Sequence, residues 1–189
     1  MCGIAGLIHK NKTVNIGKEL EDMLQALKHR GPDSTGFALY GEVENNSYIM
    51  RFKVGENVKE GSSASNEGDE VYDARKAQVD KYLGELGAEV VSEDQITPYS
   101  FKYIINYDKD LMEFSKKIES VEMTEILSIG KSLELVKDIG DAGVVSKQYG
   151  LDKIRGTHAI GHTRMATESG VDIRSAHPFW GYPFSDVSV

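Results

Sequence analysis

Residues 2–8, Cys2-Gly3-Ile4-Ala5-Gly6-Leu7-Ile8, are an almost wholly apolar run punctuated by two glycines. Such a run reads as a short buried strand whose small residues let another backbone, or a ligand, approach closely. It also holds the only cysteine of the chain. One cysteine cannot form an internal disulfide, which fits a reducing compartment and makes its position informative.

The periodicity beyond this run alternates between helix and strand. Residues 17–30 carry Leu20, Met23, Leu24 and Leu27 at helical spacing, and Gly31-Pro32 stops the pattern. Phe37 to Val43 and Tyr48 to Val54 read as strands joined by the polar turn Glu44-Asn45-Asn46-Ser47. Residues 55–69 are rich in Gly, Ser, Asn and charge and read as a loop. A helix over about 70–86, a strand over 99–107, a helix over 109–119 and strands over 123–129 and 132–137 follow. With the strand at 48–54 they give a β-α-β-α-β alternation compatible with a small ferredoxin-like α+β insert at 55–150. A short helix at 140–149 ends at Gly150, and residues 156–167 begin as a strand. The last residues, Phe184 to Val189, look strand-like.

The chain has 189 residues, enough for one generous domain or one domain with an insertion. Its 40% hydrophobic and 28% charged content is that of a soluble globular protein. A net charge of -8 with no basic cluster argues against nucleic acid or an anionic membrane as the main partner. No apolar run approaches the roughly 20 residues that cross a bilayer, and no signal peptide is evident, so a cytoplasmic location is expected.

Three segments could carry chemistry. In Met1-Cys2-Gly3, removal of Met1 would put a free α-amino group and a thiol on one residue. Their ordinary pKa values, about 7.7–8.0 and about 8.5, lie near cellular pH, so the amine can act as base for its own side chain. Read alone, Cys2 is better explained as a small buried hydrophobe. The second segment, His29-Arg30-Gly31-Pro32-Asp33-Ser34-Thr35-Gly36, is a helix end and tight turn, with more polar groups than a turn needs. The third, His162-Thr163-Arg164-Met165-Ala166-Thr167 with Ala176-His177-Pro178-Phe179, offers an arginine able to clamp a carboxylate or to sit in a structural ion pair. His158 and His162 are four apart, which would suit a metal on a helix. The local glycines favour a strand, where they lie roughly 13 Å apart, and no cysteine or acid completes a ligand set.

Taken together and in this order, the three segments resemble the class II glutamine amidotransferases, which are N-terminal-nucleophile hydrolases. The resemblance covers residues 2–8, 29–40 and 156–179, with the insert unmatched. It implies the four-layer αββα sandwich of that family, over residues 1–54 and 151–189, around the insert. It also implies that Cys2 attacks the glutamine carboxamide to form a thioester and release ammonia. Arg164 would hold the substrate carboxylate, with Thr167 beside it. Arg30, Asp33 and His177 would support the site, without a metal. The form Arg-Met-Ala-Thr-Glu-Ser is most similar to the amidotransferase subunit of archaeal-type glutamate synthases. That subunit carries no cofactor and passes ammonia to a partner synthase holding FMN and an iron–sulfur cluster. Two departures stand out. Met165 and Glu168 replace the family's usual Trp and His. The family's oxyanion Asn-Gly pair and amino-binding Asp would lie beyond residue 189, so the resemblance implies a C-terminally truncated chain. Other acceptors (a sugar phosphate, phosphoribosyl pyrophosphate or aspartate), or a non-catalytic regulatory subunit binding an effector through the insert, are the alternative expectations.

Overall fold

The structure is a computed structural model that describes residues 2–31, 33–44, 46–56, 68–165 and 173–189. Its described part is α+β, with two antiparallel four-stranded sheets and four helices. The first sheet joins β1 (Gly3–Ile8), β8 (His158–Arg164), β2 (Ser34–Tyr40) and β7 (Leu133–Ile139) in that order. Helices α1 (Ile16–Ala26) and α4 (Ala142–Tyr149) cover one of its faces. The predicted stripe on α1 forms, with a shift: Ile16, Leu20 and Leu24 are fully buried, while Met23 is exposed. They pack with Ala5, Phe37, Leu39, Val136 and Val145. Each such aliphatic side chain contributes about 1.5–3 kcal/mol on burial. Asn15 caps α1 by accepting from the Lys18 N–H, and a single 3-10 turn, Lys28–Arg30, replaces the expected last helical turn.

The second sheet has the order β4-β5-β3-β6, from β3 (Tyr48–Lys53), β4 (Glu89–Thr97), β5 (Ser100–Asn106) and β6 (Glu125–Gly130). Helices α2 (Asp69–Leu86) and α3 (Leu111–Ile118) complete it, with Phe52, Phe101, Tyr103, Val79, Leu83 and Phe114 in a common core. Asp110 caps α3, and Gly87 ends α2 in the left-handed conformation (φ 78°) that favours glycine. The chain succession is thus β-α-β-β-α-β, one strand more than the sequence pattern gave, and compatible with the ferredoxin-like expectation.

The arrangement of strands departs from the sequence reading. β2 and β3 do not form a hairpin: β2 pairs with β7 and β8, and β3 with β5 and β6. β6 and β7 likewise enter different sheets. The second sheet therefore takes in β3, before residue 55, while β7 and α4, before residue 150, belong to the first. Residues 184–189 form no strand, only a bridge between Trp180 and Ser188.

A buried polar seam joins the two sheets. Arg51 on β3 donates through Nε and Nη2 to Glu134 Oε2 on β7 at 2.9 and 2.5 Å, and Lys102 on β5 reaches Oε1 at 3.1 Å. Burial alone would raise the Glu134 pKa; Arg51 and Lys102 more than reverse this and hold it below the usual carboxylate range. Further along β7, Asp138 accepts from Tyr99 Oη at 2.9 Å and Tyr149 Oη at 2.5 Å, with Lys53 Nζ at 3.4 Å.

A candidate nucleophile and a cation at one end of the first sheet

The antiparallel register brings the start of β1, the end of β8 and the start of β2 together at one end of the sheet. Gly3 faces Thr163, Thr163 faces Thr35, and Thr35 faces Asp138, making one row across four strands. One step outward, Arg164 faces Ser34, and Ser34 faces Ile139. Continuing the β1 register by one residue brings Cys2 alongside Arg164, with strands about 4.8 Å apart. Cys2 is exposed. Strand alternation puts Cys2, Ile4, Ser34, Gly36, His162 and Arg164 on the face away from α1. The opposite set, including Ala5, Phe37 and Ala159, fills the helix-side core.

The turn after α1 is shaped to meet this edge. The Arg164 carbonyl accepts the Asp33 N–H at 3.1 Å, and the Asp33 carbonyl accepts the Gly140 N–H at 3.0 Å. A Cβ on Gly31 would lie 2.4 Å from the Arg164 carbonyl carbon, so only glycine lets this turn press against the Arg164–Met165 peptide. A Cβ on Gly36 would lie 2.1 Å from the His177 carbonyl oxygen. The turn's glycines thus serve close approach, and Asp33 ties the turn to the arginine strand through its backbone. The Arg30 side chain is exposed, in the 3-10 turn.

Arg164 Nη1 donates to Ser175 Oγ at 2.7 Å. The His177 ring lies tilted beside His162, with ring centroids 5.4 Å apart, and meets Phe179 edge-on at 4.7 Å. Burial, with His177 and Arg164 nearby, pushes the His162 imidazole below its ordinary pKa, favouring the neutral form at pH 7. A cleft of about 170 Å³ opens beside this pair, lined by Ile4, Ile160, His162, His177 and Pro178. Thr167 lies outside the described residues.

Three buried polar atoms near the edge, Ser34 Oγ, His162 Nδ1 and Thr163 Oγ1, have no hydrogen-bond partner among the described residues. Sequence reasoning passed over all three as site residues. They sit inside the motifs it singled out, but burial without a partner shows only in three dimensions. Among the described residues, no three His, Cys, Asp or Glu side chains are placed to hold a metal, and no helix is long and apolar enough to cross a membrane.

No family model matches the chain. It is 35% identical over 194 aligned residues to a protein of Methanothermobacter thermautotrophicus (strain Delta H) provisionally described as a glutamine amidotransferase; the match covers 100% of this chain and 60% of that protein. It is 30% identical over 185 residues to the glutamine amidotransferase-like protein GlxB of Rhizobium meliloti (strain 1021), covering 95% of this chain and 54% of that protein. The chain thus spans between half and two thirds of the length of these curated relatives, and along nearly all of its own length it is similar to proteins named for glutamine amidotransfer.

Proposed function

We propose that the chain is part of a class II glutamine amidotransferase that hydrolyses glutamine through Cys2 and delivers the ammonia to a synthase partner. The observation that carries this reading is the register of the first sheet, which sets the start of β1 beside Arg164 and the Asp33–Ser34 turn. The names of the relatives support the same reaction class.

In this mechanism the free α-amino group of Cys2 takes the thiol proton as sulfur bonds to the carboxamide carbon. The tetrahedral intermediate then breaks its C–N bond, the amine returns the proton to the departing nitrogen, and ammonia leaves. Water attacks the γ-glutamyl thioester, its proton passes through the amine to sulfur, and glutamate is freed. Arg164 binds the α-carboxylate of glutamine, a role its planar fork of donors suits, with Thr167 beside it. Ser175 holds the guanidinium in place, Arg30, Asp33 and His177 support the site, and no metal or cofactor takes part. The fold we assign is the αββα sandwich of N-terminal-nucleophile hydrolases with a ferredoxin-like insert. A further sheet packed on the β1 face bearing Ile4 and Ile8, both 78% exposed, would complete its layers. The partner we infer is a glutamate-synthase-type protein carrying FMN and an iron–sulfur cluster, acting in the cytoplasm.

The test is the mass of the N-terminus together with glutamine hydrolysis by the full-length protein. Loss of Met1, and loss of hydrolysis in Cys2→Ala, are expected. Normal hydrolysis by a tagged, unprocessed form would overturn the mechanism.

A further inference from the structure

Thr163 is 1% exposed, and its Oγ1 has no hydrogen-bond partner among the described residues. An unpartnered buried hydroxyl typically costs about 1–3 kcal/mol, so its presence calls for a ligand that arrives only in the working protein. Its location narrows the choice. Thr163 faces Gly3 across β1 and β8, and its Oγ1 lies 2.8 Å from where a Cβ on Gly3 would be. Leu27 Cβ and Cδ1 lie 3.1 and 3.4 Å from that same Cβ point, so apolar atoms pack beside this row at Gly3. The next backbone position along β1, roughly 3.3 Å on, is Cys2. On the other side of Thr163 the row continues to Thr35, whose hydroxyl already donates to the Gly140 carbonyl; the β1 side leads to Cys2, and the group created there by removal of Met1 is an α-amine.

We propose that Thr163 is a positioning residue for the mature N-terminus: its hydroxyl hydrogen-bonds, directly or through one water, to the α-amino group of Cys2. This rests on the reading of Cys2 as an N-terminal nucleophile. The hydroxyl accepts from the amine while its own hydrogen turns away. It thereby holds the nitrogen on the helix side of the strand, across from the face toward which the thiol points. The amine is fixed in reach of the sulfur without being displaced by substrate.

The experiment compares Thr163→Val, which keeps the shape and removes the hydroxyl, with Thr163→Ser, in two forms of the full chain. One form is processed to Cys2; the other retains Met1 through inhibition of methionine aminopeptidase. Thermal unfolding and the pH profile of Cys2 alkylation by iodoacetamide are read in each. Thr163→Val should stabilise the Met1-retaining form, by removing an unsatisfied hydroxyl, yet destabilise the processed form. It should also move the apparent pKa of alkylation in the processed form by about one unit, the size expected when a hydrogen bond to a charged group is lost. Thr163→Ser should restore the profile. An identical effect of Thr163→Val on both forms, or an unmoved alkylation profile, would overturn the proposal. Neither readout needs glutamine turnover, so absence of glutaminase activity would count against the proposed function and leave this result standing.

Discussion

Arg164 and Ser34 face each other across β8 and β2, and the two residues beside them, Gly31 and Asp33, clamp the same arginine through its backbone. The position of the proposed substrate clamp is therefore set by the turn after α1 as much as by the strand that carries it. Substituting the arginine should act on binding. With Arg164→Ala the KM for glutamine is expected to rise roughly 10- to 100-fold, the range for losing charge-assisted hydrogen bonds, with a smaller change in kcat. Steady-state ammonia release by the full-length protein measures this, and an unchanged KM would reject the carboxylate clamp.

Gly31→Ala tests the turn without touching a functional group. Its Cβ would collide with backbone at 2.4 Å, so the turn or the Arg164–Met165 peptide must shift. A stability loss of about 1–3 kcal/mol in urea unfolding is expected, accompanied by weaker glutamine binding. A variant as stable as the parent, with the parent's KM, would show that the close approach has no such role.

The seam between the sheets should behave as a buried ion pair. Glu134→Ala leaves Arg51 and Lys102 facing an apolar gap and should destabilise by about 3–5 kcal/mol. Replacing Arg51, Lys102 and Glu134 together by Met, Met and Leu should recover most of that loss. Equal destabilisation by the single and triple variants would contradict the assignment.

Asp186 supplies a pH test. Its carboxylate accepts the N–H groups of Lys131, Ser132 and Leu133 at 3.0, 2.7 and 2.9 Å. Burial would raise its pKa, but these donors and the Ser132 hydroxyl hold it below the usual carboxylate value. A depressed folded pKa means stability present above the unfolded value, near 3.9, and lost as pH falls through the folded one. The melting temperature of the parent should therefore drop more steeply below about pH 4 than that of Asp186→Asn. Parallel curves would exclude the linkage.

The helices and most strands were legible because their apolar residues repeat at the right period, as in Leu20 and Leu24 on α1 or Phe101, Tyr103 and Ile105 on β5. β4 was not. Residues 89–95 are exposed along it, and Glu89, Glu93 and Asp94 give no apolar alternation, as befits a sheet edge guarded by charge. The partners of β3 and β7 were also illegible, since a polar turn such as Glu44–Ser47 predicts a hairpin equally well whether or not the two strands enter one sheet. At the site, the motifs located Cys2, Arg164 and the Gly31–Gly36 turn. The unpartnered state of Ser34, His162 and Thr163 depends on which residues cover them, and that is fixed by the long-range register.

The division of strands between sheets also bears on the order in which the chain assembles. β1 and β2 are made early, but their neighbours β7 and β8 come only after the whole second sheet has been synthesised. That sheet draws its strands from one continuous stretch, so it can close with shorter loops, at lower entropic cost, and form first. Once formed, it presents the start of β7 to β2 through the β6–β7 turn. Until β8 follows, β1, the strand that begins just after Cys2, lacks its partner in the sheet, and an unpaired apolar edge at that stage invites association between nascent chains.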